Sequence, residues 1–342
     1  MFASDVQEFH IFRLNQATQS WTDTDTLIDT RNGSKADVLW NGSKLYVVSA
    51  GLSSAVTTDD ARFLRYSYSA ATEAYTPDTF ATSIVPGGME AIVLAQDTFG
   101  ALWITYTRDN AVYVSHTTTS DFVWTTPYAI PVENAANLTP DDISSVVAYN
   151  SRTGVMWSNQ NTMAFYFASH IDGAADMDWS LSTALGAPYG ADDHINLKSI
   201  EGDSAGRVFA AVKTGANGLN DPSIMLLVLG TDGNWTSHII SKVSNNHTRP
   251  IVLIDQDNRS LHMFASAPCC NGGAIYHKQT SLDAILFPTG LGTPFMQSSG
   301  DNCINNPSST KQNLNATTDL VVIAGADCTD FYFHNMSDLA AP

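Results

Sequence analysis

The stretches TTSDFVW at residues 118–124 and GTDGNW at residues 230–235 decide the fold. Each has a small or acidic turn followed by an aromatic residue, a pattern typical of a tight β-hairpin. The aromatic residue recurs at intervals of about fifty positions, and a fixed period of that length predicts a β-propeller. Four looser copies complete the series: QATQSW at 16–21, SAATEAY at 69–75, AADMDW at 174–179 and TSLDAILF at 280–287.

A second series alternates with the first and also has six copies. Each copy is an apolar run, a turn and a run rich in β-branched and aromatic residues, as in ADVLWNGSKLYVV. These segments predict two strands each, with inner (A) strands beginning near residues 36, 90, 143, 196, 249 and 311. The two series together predict an all-β, six-bladed β-propeller in a single domain spanning residues 1–342.

The order of the two series also predicts how the ring closes. The chain begins with an outer hairpin and ends with an inner one, so we expect the closing blade to be shared between the N- and C-termini. A shared blade would leave no open sheet edge. DFYFHN at 330–335 predicts a further outer strand that competes with the N-terminal hairpin for the same place.

Charge excludes several classes of partner. The 342 residues include 16 basic and 34 acidic side chains, for a net charge of −18. This acidic protein would repel nucleic acid and anionic membranes, and its apolar runs are too short to span a bilayer. We therefore expect no nucleic-acid partner, no membrane insertion and a monomer. Residues 1–8 lack the apolar core of a signal peptide, but the abundance of Thr, Ser and Asn favours an extracellular, secreted protein.

The four cysteines all lie in the last quarter of the chain. Adjacent cysteines rarely bridge each other, so Cys269 and Cys270 would pair separately with Cys303 and Cys328. Two such disulfides would fit an oxidising compartment. Free buried thiols and a metal site are the alternatives, although vicinal cysteines lack the usual two-residue spacer of zinc sites.

Polar residues recur where the A strands begin, which in a propeller is one mouth of the central channel. Aligning the repeats brings together two histidines, carboxylates and basic groups, which could supply acid–base chemistry and bind an anionic substrate group. The long crossover at 290–313 adds amide side chains suited to sugar hydroxyls. The predicted catalytic residues are His194, His247, Glu90 and Asp141, and the predicted substrate-binding residues are Arg249, Lys198, Lys311, Asn305 and Asn306.

The polar residues at the channel mouth and the crossover at 290–313 could each have a structural rather than a functional role. Channel residues of many propellers are polar because the channel holds water, and the crossover could be a loop held by Asx turns and Cys303. Asp255 and Asp257 fit a solvated turn better than a calcium loop, and the chain carries no P-loop, dinucleotide fingerprint or HExxH motif. We therefore expect no cofactor and no metal ion.

The turns TTSDFVW and GTDGNW resemble the Asp-box hairpins of sialidase-like six-bladed propellers. The resemblance implies the same architecture across the whole ring. A sialidase would need three arginines around the substrate carboxylate, and here only Arg249, with Arg31 as a second candidate, lies near the mouth; sialidase activity is therefore not implied. Propeller polysaccharide lyases are similar in combining His and Arg with an acidic substrate.

The sequence thus predicts a secreted carbohydrate-active enzyme, a glycoside hydrolase or a polysaccharide lyase, with its site at the channel mouth. His194 or His247 would be the acid or base, and Glu90 or Asp141 its carboxylate partner. The alternative is a non-catalytic module that binds glycan or protein on the same face.

Overall fold

A repeated four-stranded antiparallel sheet dominates the computed structural model. The structure describes residues 2–5, 8–31, 34–51, 60–199, 206–268, 273–300, 302–326 and 332–339. In these residues the secondary structure consists of strands and a single 3-10 turn at Val243–Asn245. The fold is a six-bladed β-propeller, which confirms the predicted fold class. The described residues form seven sheets, of which the first and the last along the chain have three strands each. No helix in the described part of the chain is long and apolar enough to cross a bilayer.

The chain comprises two compact units, Met1–Ile130 and Pro131–Pro342, and a single domain over 1–342 remains a prediction. The strands of the first unit are β1 (Phe2–Asp5), β2 (Glu8–Asn15), β3 (Ser20–Asp29), β4 (Lys35–Trp40), β5 (Lys44–Ala50), β6 (Ala61–Ser69), β7 (Ala74–Pro77), β8 (Thr82–Val85), β9 (Ile92–Gln96), β10 (Leu102–Arg108), β11 (Ala111–His116) and β12 (Tyr128–Ala129).

Three sheets make up the first unit. Strands β1-β2-β3 form one sheet, β4-β5-β6-β7 with β8 on β6 form a second, and β9 to β12 form a third. The hairpin aromatic Trp124 packs edge-on against Phe63, with ring centroids 5.4 Å apart. Asp121, the acidic turn residue of the same hairpin, receives a hydrogen bond from Arg65 Nη1 at 2.7 Å. The Asp-box-like hairpin therefore stabilises the packing of neighbouring sheets.

The second unit contains β13 (Ser144–Tyr149), β14 (Arg152–Asn159), β15 (Ala164–Ile171), β16 (Trp179–Leu185), β17 (Ile195–Ser199), β18 (Val208–Lys213), β19 (Pro222–Leu229), β20 (Trp235–Lys242), β21 (Thr248–Asp255), β22 (Ser260–Ala267), β23 (Ala274–Ser281), β24 (Thr293–Met296), β25 (Ile304–Ser308), β26 (Leu320–Ala326) and β27 (Tyr332–Ser337). Three four-stranded sheets, β13–β16, β17–β20 and β21–β24, precede the three-stranded sheet β25-β26-β27.

Apolar side chains from adjacent sheets form the core of the second unit. Phe167 of β15 packs with Val212 and Leu227 of the next sheet. The hairpin residue Trp235 closes this layer, lying 5.3 Å from Phe167 edge to face, and its Nε1 donates to Ser182 Oγ at 3.1 Å. The aromatic residue of this hairpin therefore packs between adjacent blades.

The inner strand of the last blade lies elsewhere than predicted. We expected it near residue 311, but β25 occupies Ile304–Ser308, inside the crossover that was predicted to lack strands. The ladder with β26 is irregular between Asn305 and Ser308, where Pro307 has no N–H to donate. A strand of Asn and Pro residues contradicts ordinary β-propensity, so the sequence pattern did not reveal it.

The two chain ends each form a sheet in the described residues. Residues 332–335 of the DFYFHN stretch belong to β27, which pairs with β26 as the third strand of the C-terminal sheet. Strands β1, β2 and β3 form the N-terminal sheet. A closing blade shared between the termini stays a prediction. Cys303 is buried, while Cys269, Cys270 and Cys328 lie outside the described residues, so their pairing also stays a prediction.

Candidate functional site

The starts of the inner strands of the second unit carry most of the predicted site residues. We call this set the A-strand entry. It comprises the residues immediately before, and the first few residues of, β13, β17, β21 and β25. Strand β17 contacts both β13 and β21, and β21 contacts β25, so the four strand starts are successive neighbours. Asn196 of β17 accepts a hydrogen bond from the Val252 amide of β21 at 2.9 Å, which fixes this spacing.

His194 lies at the centre of a charged cluster just before β17. Its Nδ1 is in hydrogen-bond contact with Asp192 and lies 2.7 Å from Asp193 Oδ1. Lys213 Nζ, at the end of β18, donates to Asp192 Oδ2 at 2.9 Å. The backbone holds this arrangement because the Asp192 amide donates to the Lys213 carbonyl and the Lys213 amide donates to that of His194. Backbone hydrogen bonds between the 192–194 segment and Lys213 therefore hold the charged side chains of this cluster together.

The cluster sets the protonation of its members. Burial alone would lower the pKa of His194, but hydrogen bonds to Asp192 and Asp193 outweigh it and raise that pKa to about 9. Burial also opposes ionisation of Asp192, yet hydrogen bonds involving His194, Asp193 and Lys213 hold its pKa well below the usual range. The pKa of Asp193 is raised by burial and by Asp192, against the effect of His194. At neutral pH His194 is therefore an imidazolium, an acid rather than a base.

Asp141 brings a further carboxylate to this cluster. A carboxylate oxygen of Asp141 and one of Asp193 lie within 4.8 Å of each other. Asp141 is exposed, whereas its neighbour Asp142 is fully buried and accepts hydrogen bonds from Thr139 and Gln160. Asp142 therefore holds the loop before β13, and Asp141 remains at the surface beside Asp193.

The second predicted histidine has a different environment. His247 is only 1% exposed, and neither of its ring nitrogens makes a hydrogen bond of normal geometry in the described residues. Burial lowers its pKa to about 4, with Lys278 acting in the same direction and the Leu291 backbone opposing it. Its ring stands edge-on to Tyr276, with centroids 5.9 Å apart. His247 is therefore neutral at pH 7 and sits behind the surface, where it does not share the electrostatics of His194.

Arg249 and Asn305 meet at the starts of β21 and β25. Arg249 Nη1 lies 3.5 Å from Asn305 Oδ1. Asn305 is 1% exposed, and Arg249 is half-buried. Asn306 is exposed and has a left-handed backbone with φ of 56°. The structure thus brings together two predicted substrate-binding residues from adjacent blades.

Three further predicted residues, Glu90, Lys198 and Lys311, lie at or near the inner strands. Glu90 is exposed and lies before β9 in the first unit. Lys198 belongs to β17, but its side chain is outside the described part. Lys311 is half-buried and follows β25 rather than beginning the inner strand.

Three members of the cluster, Asp192, Asp193 and Lys213, were not among the predicted site residues. The signal was the ADDH run at 191–194, in which two acidic residues directly precede the aligned histidine. Asp192, Asp193 and His194 also offer three ligand atoms within 4.8 Å of one another, a spacing that could hold a metal ion. Such an ion would have to displace the proton that His194 shares with both carboxylates and compete with Lys213.

The sequence matches no protein-family model, and it matches no curated protein sequence. Similar solved structures exist. A protein of unknown function from Dyadobacter fermentans is 13% identical with a TM-score of 0.52, covering 88% of this chain and 90% of that one. The polysaccharide lyase Uly1 is 8% identical with a TM-score of 0.51, covering 95% and 83%. The NanB sialidase of Streptococcus pneumoniae is 12% identical with a TM-score of 0.43, covering 77% and 44%. At these identities the likeness shows the fold alone.

Proposed function

We propose that this protein is a carbohydrate-active enzyme that hydrolyses glycosidic bonds at the A-strand entry, which would form the channel mouth. The observation that carries the proposal is the pair formed by Asp193 and Asp141, whose carboxylate oxygens lie within 4.8 Å of each other. Glycoside hydrolysis uses two carboxyl groups in different roles, one to protonate the leaving oxygen and one to act at the sugar carbon.

Asp193 is the proposed general acid. Burial and Asp192 raise its pKa above that of an ordinary aspartate, which is the direction that a general acid requires. His194 and Asp192 are positioning residues, since their hydrogen bonds hold Asp193 in place and set its protonation. Asp141, exposed to solvent, is the proposed nucleophile or base. The two oxygens lie within 4.8 Å of each other, closer than the carboxyl groups of inverting enzymes, which are about 6.5–9.5 Å apart. We therefore propose a mechanism that retains anomeric configuration.

The predicted acid–base role thus moves from His194 itself to the neighbouring Asp193. His247 remains a proposal of lower rank because it is buried, and Glu90 remains a proposed catalytic carboxylate. We further propose that the protein is extracellular and monomeric, in line with its composition.

A polysaccharide lyase is the second candidate. It is favoured by the similarity to the polysaccharide lyase Uly1, whose TM-score is above 0.5, and by the presence of Arg249 beside Asn305. A lyase would need a neutral base at the mouth. His194 does not supply one at pH 7, because its pKa is about 9.

A panel of arabinan, xylan, polygalacturonate and ulvan tests the proposal. Reducing ends report hydrolysis, and a parallel rise of absorbance near 235 nm reports elimination. We expect reducing ends without the absorbance, a roughly hundredfold or greater loss of rate in Asp193→Asn and Asp141→Asn, and normal rates in Asp178→Asn, which changes another exposed carboxyl of the unit. Equal rates in all three variants would refute the assignment, absorbance with each cleavage would establish a lyase, and binding without product would establish a binding module.

A further inference from the structure

Arg249 adopts a backbone conformation that its sequence position disfavours. Its φ is 52°, in the left-handed region, although the following residue is Pro250, and a residue before proline normally prefers an extended backbone. The β21–β22 ladder is irregular here, between Thr248 and Ile251. Such a bulge redirects a side chain away from the regular alternation of the strand. Strained positions of this kind persist where the surrounding fold imposes them, and they concentrate at binding and catalytic sites.

Arg249 differs from most arginines in the contacts of its guanidinium group with the described residues. Acidic residues outnumber basic ones by 34 to 16. Close ion pairs accordingly hold Arg31 to Asp29, Arg65 to Asp78 and Arg259 to Asp283, each at 2.6 Å. In the described part of the chain Arg249 has no carboxylate partner, and its polar contact is the neutral amide oxygen of Asn305 at 3.5 Å.

Its surroundings favour an anion from outside the protein. Arg249 is half-buried, so its charge is screened less by water than that of an exposed arginine. His247, two residues earlier, is neutral at pH 7 and therefore adds no second positive charge. A planar guanidinium can hold a carboxylate through two parallel hydrogen bonds.

We propose that Arg249, oriented by Asn305, is a specificity-determining residue that binds the carboxylate of a uronic acid, so that the substrate is a uronate-containing glycan. This inference rests on the proposed function, because it assumes that the A-strand entry binds a glycan. It adds the chemical class of that glycan, which the carboxylate pair of Asp193 and Asp141 does not specify.

Titration calorimetry with matched ligands tests the inference. The ligands are polygalacturonate, its fully methyl-esterified form, ulvan and the neutral polymer arabinan. We expect the wild type to bind a uronate polymer, and Arg249→Gln to bind it roughly tenfold to a hundredfold more weakly, the equivalent of one or two charge-assisted hydrogen bonds. The control Arg152→Gln changes an arginine that starts β14, at the opposite end of a blade, and should bind like the wild type.

Combining the Arg249→Gln substitution with removal of the ligand's carboxylate shows whether the two groups interact directly. If polygalacturonate is the polymer bound, esterification should weaken binding by the wild type and have little further effect on Arg249→Gln. If ulvan is bound instead, its carboxyl-reduced form serves in the same comparison. Arg249→Gly guards against misfolding, because glycine accepts the left-handed backbone; we expect a melting temperature at least equal to that of the wild type together with the same loss of binding.

Each outcome bears on one proposal or the other. Wild-type affinity that is equal for acid and neutral polymers, wild-type binding to no uronate polymer in the panel, or undiminished binding by Arg249→Gln would overturn the carboxylate assignment. Hydrolysis of arabinan alone would support the proposed enzyme while refuting this inference. Binding of uronate through Arg249 without any cleavage would support this inference while refuting the proposed hydrolase.

Discussion

Replacing His194 with glutamine should destabilise the protein at neutral and mildly acidic pH but not at high pH. The pKa of His194 is about 9 in the folded protein, against an ordinary value of 6.5. At about 1.4 kcal/mol per pKa unit, protonated His194 stabilises the fold by about 3 kcal/mol. Because the folded pKa is the higher one, this contribution is complete below pH 6.5 and is lost as the pH rises to about 9.

Urea denaturation of the wild type and His194→Gln at pH 6, 7, 8, 9 and 10 measures this effect. We expect the difference in unfolding free energy to be about 3 kcal/mol at pH 6 and to approach zero at pH 10. Histidine NMR titration gives an independent reading of the same group, and Asp192→Asn should lower the pKa of His194 by removing one of its carboxylate partners. A penalty that is constant with pH, or titration of His194 near 6.5, would refute the assigned electrostatics and with them the proposed positioning of Asp193.

Two further predictions concern the core of the second unit. A Cβ at Gly154 would collide with the ring of Phe167, so Gly154→Ala should lower the unfolding free energy by about 3 kcal/mol. In the control Gly300→Ala, the nearest atom to the added Cβ is 3.9 Å away, so the melting temperature should not change. Equal melting temperatures for the two variants would contradict the packing around Gly154. His277 hydrogen-bonds His262 at 3.0 Å, and its pKa is lowered to about 4 by burial and by His262. The folded pKa is here the lower one, so stability should fall as the pH drops from 6.5 to 4; His277→Phe should reduce that acid sensitivity in thermal melts, and an unchanged pH profile would show that another group is responsible.

Local pattern was sufficient to predict the blades. Strand residues alternate with turn residues at short range, so five of the six inner strands begin within two residues of the predicted positions. The exception is β25, where Asn305, Asn306 and Pro307 form a strand against their own propensity. Pairing with β26 on one side and contact with β21 on the other determine that strand.

The candidate site shows the same division. Aligning the repeats placed His194 and His247 at equivalent positions, so the sequence predicted the acid–base role equally for both. The structure separates them: carboxylates next to His194 raise its pKa to about 9, while burial lowers that of His247 to about 4. Nor did the alignment reveal that the carboxylates of Asp141 and Asp193 approach each other from adjacent blades.

What the sequence determined by itself was the fold class, the number of blades and the strands on which the polar residues lie. These follow from hydrophobic alternation and turn chemistry, which act between residues a few positions apart. Only the tertiary structure decided which polar groups are charged, which are buried and which meet across blades. Those properties depend on desolvation and on Coulomb interactions between residues such as Asp141 and Asp193, which lie far apart in the chain and come together only when the sheets pack.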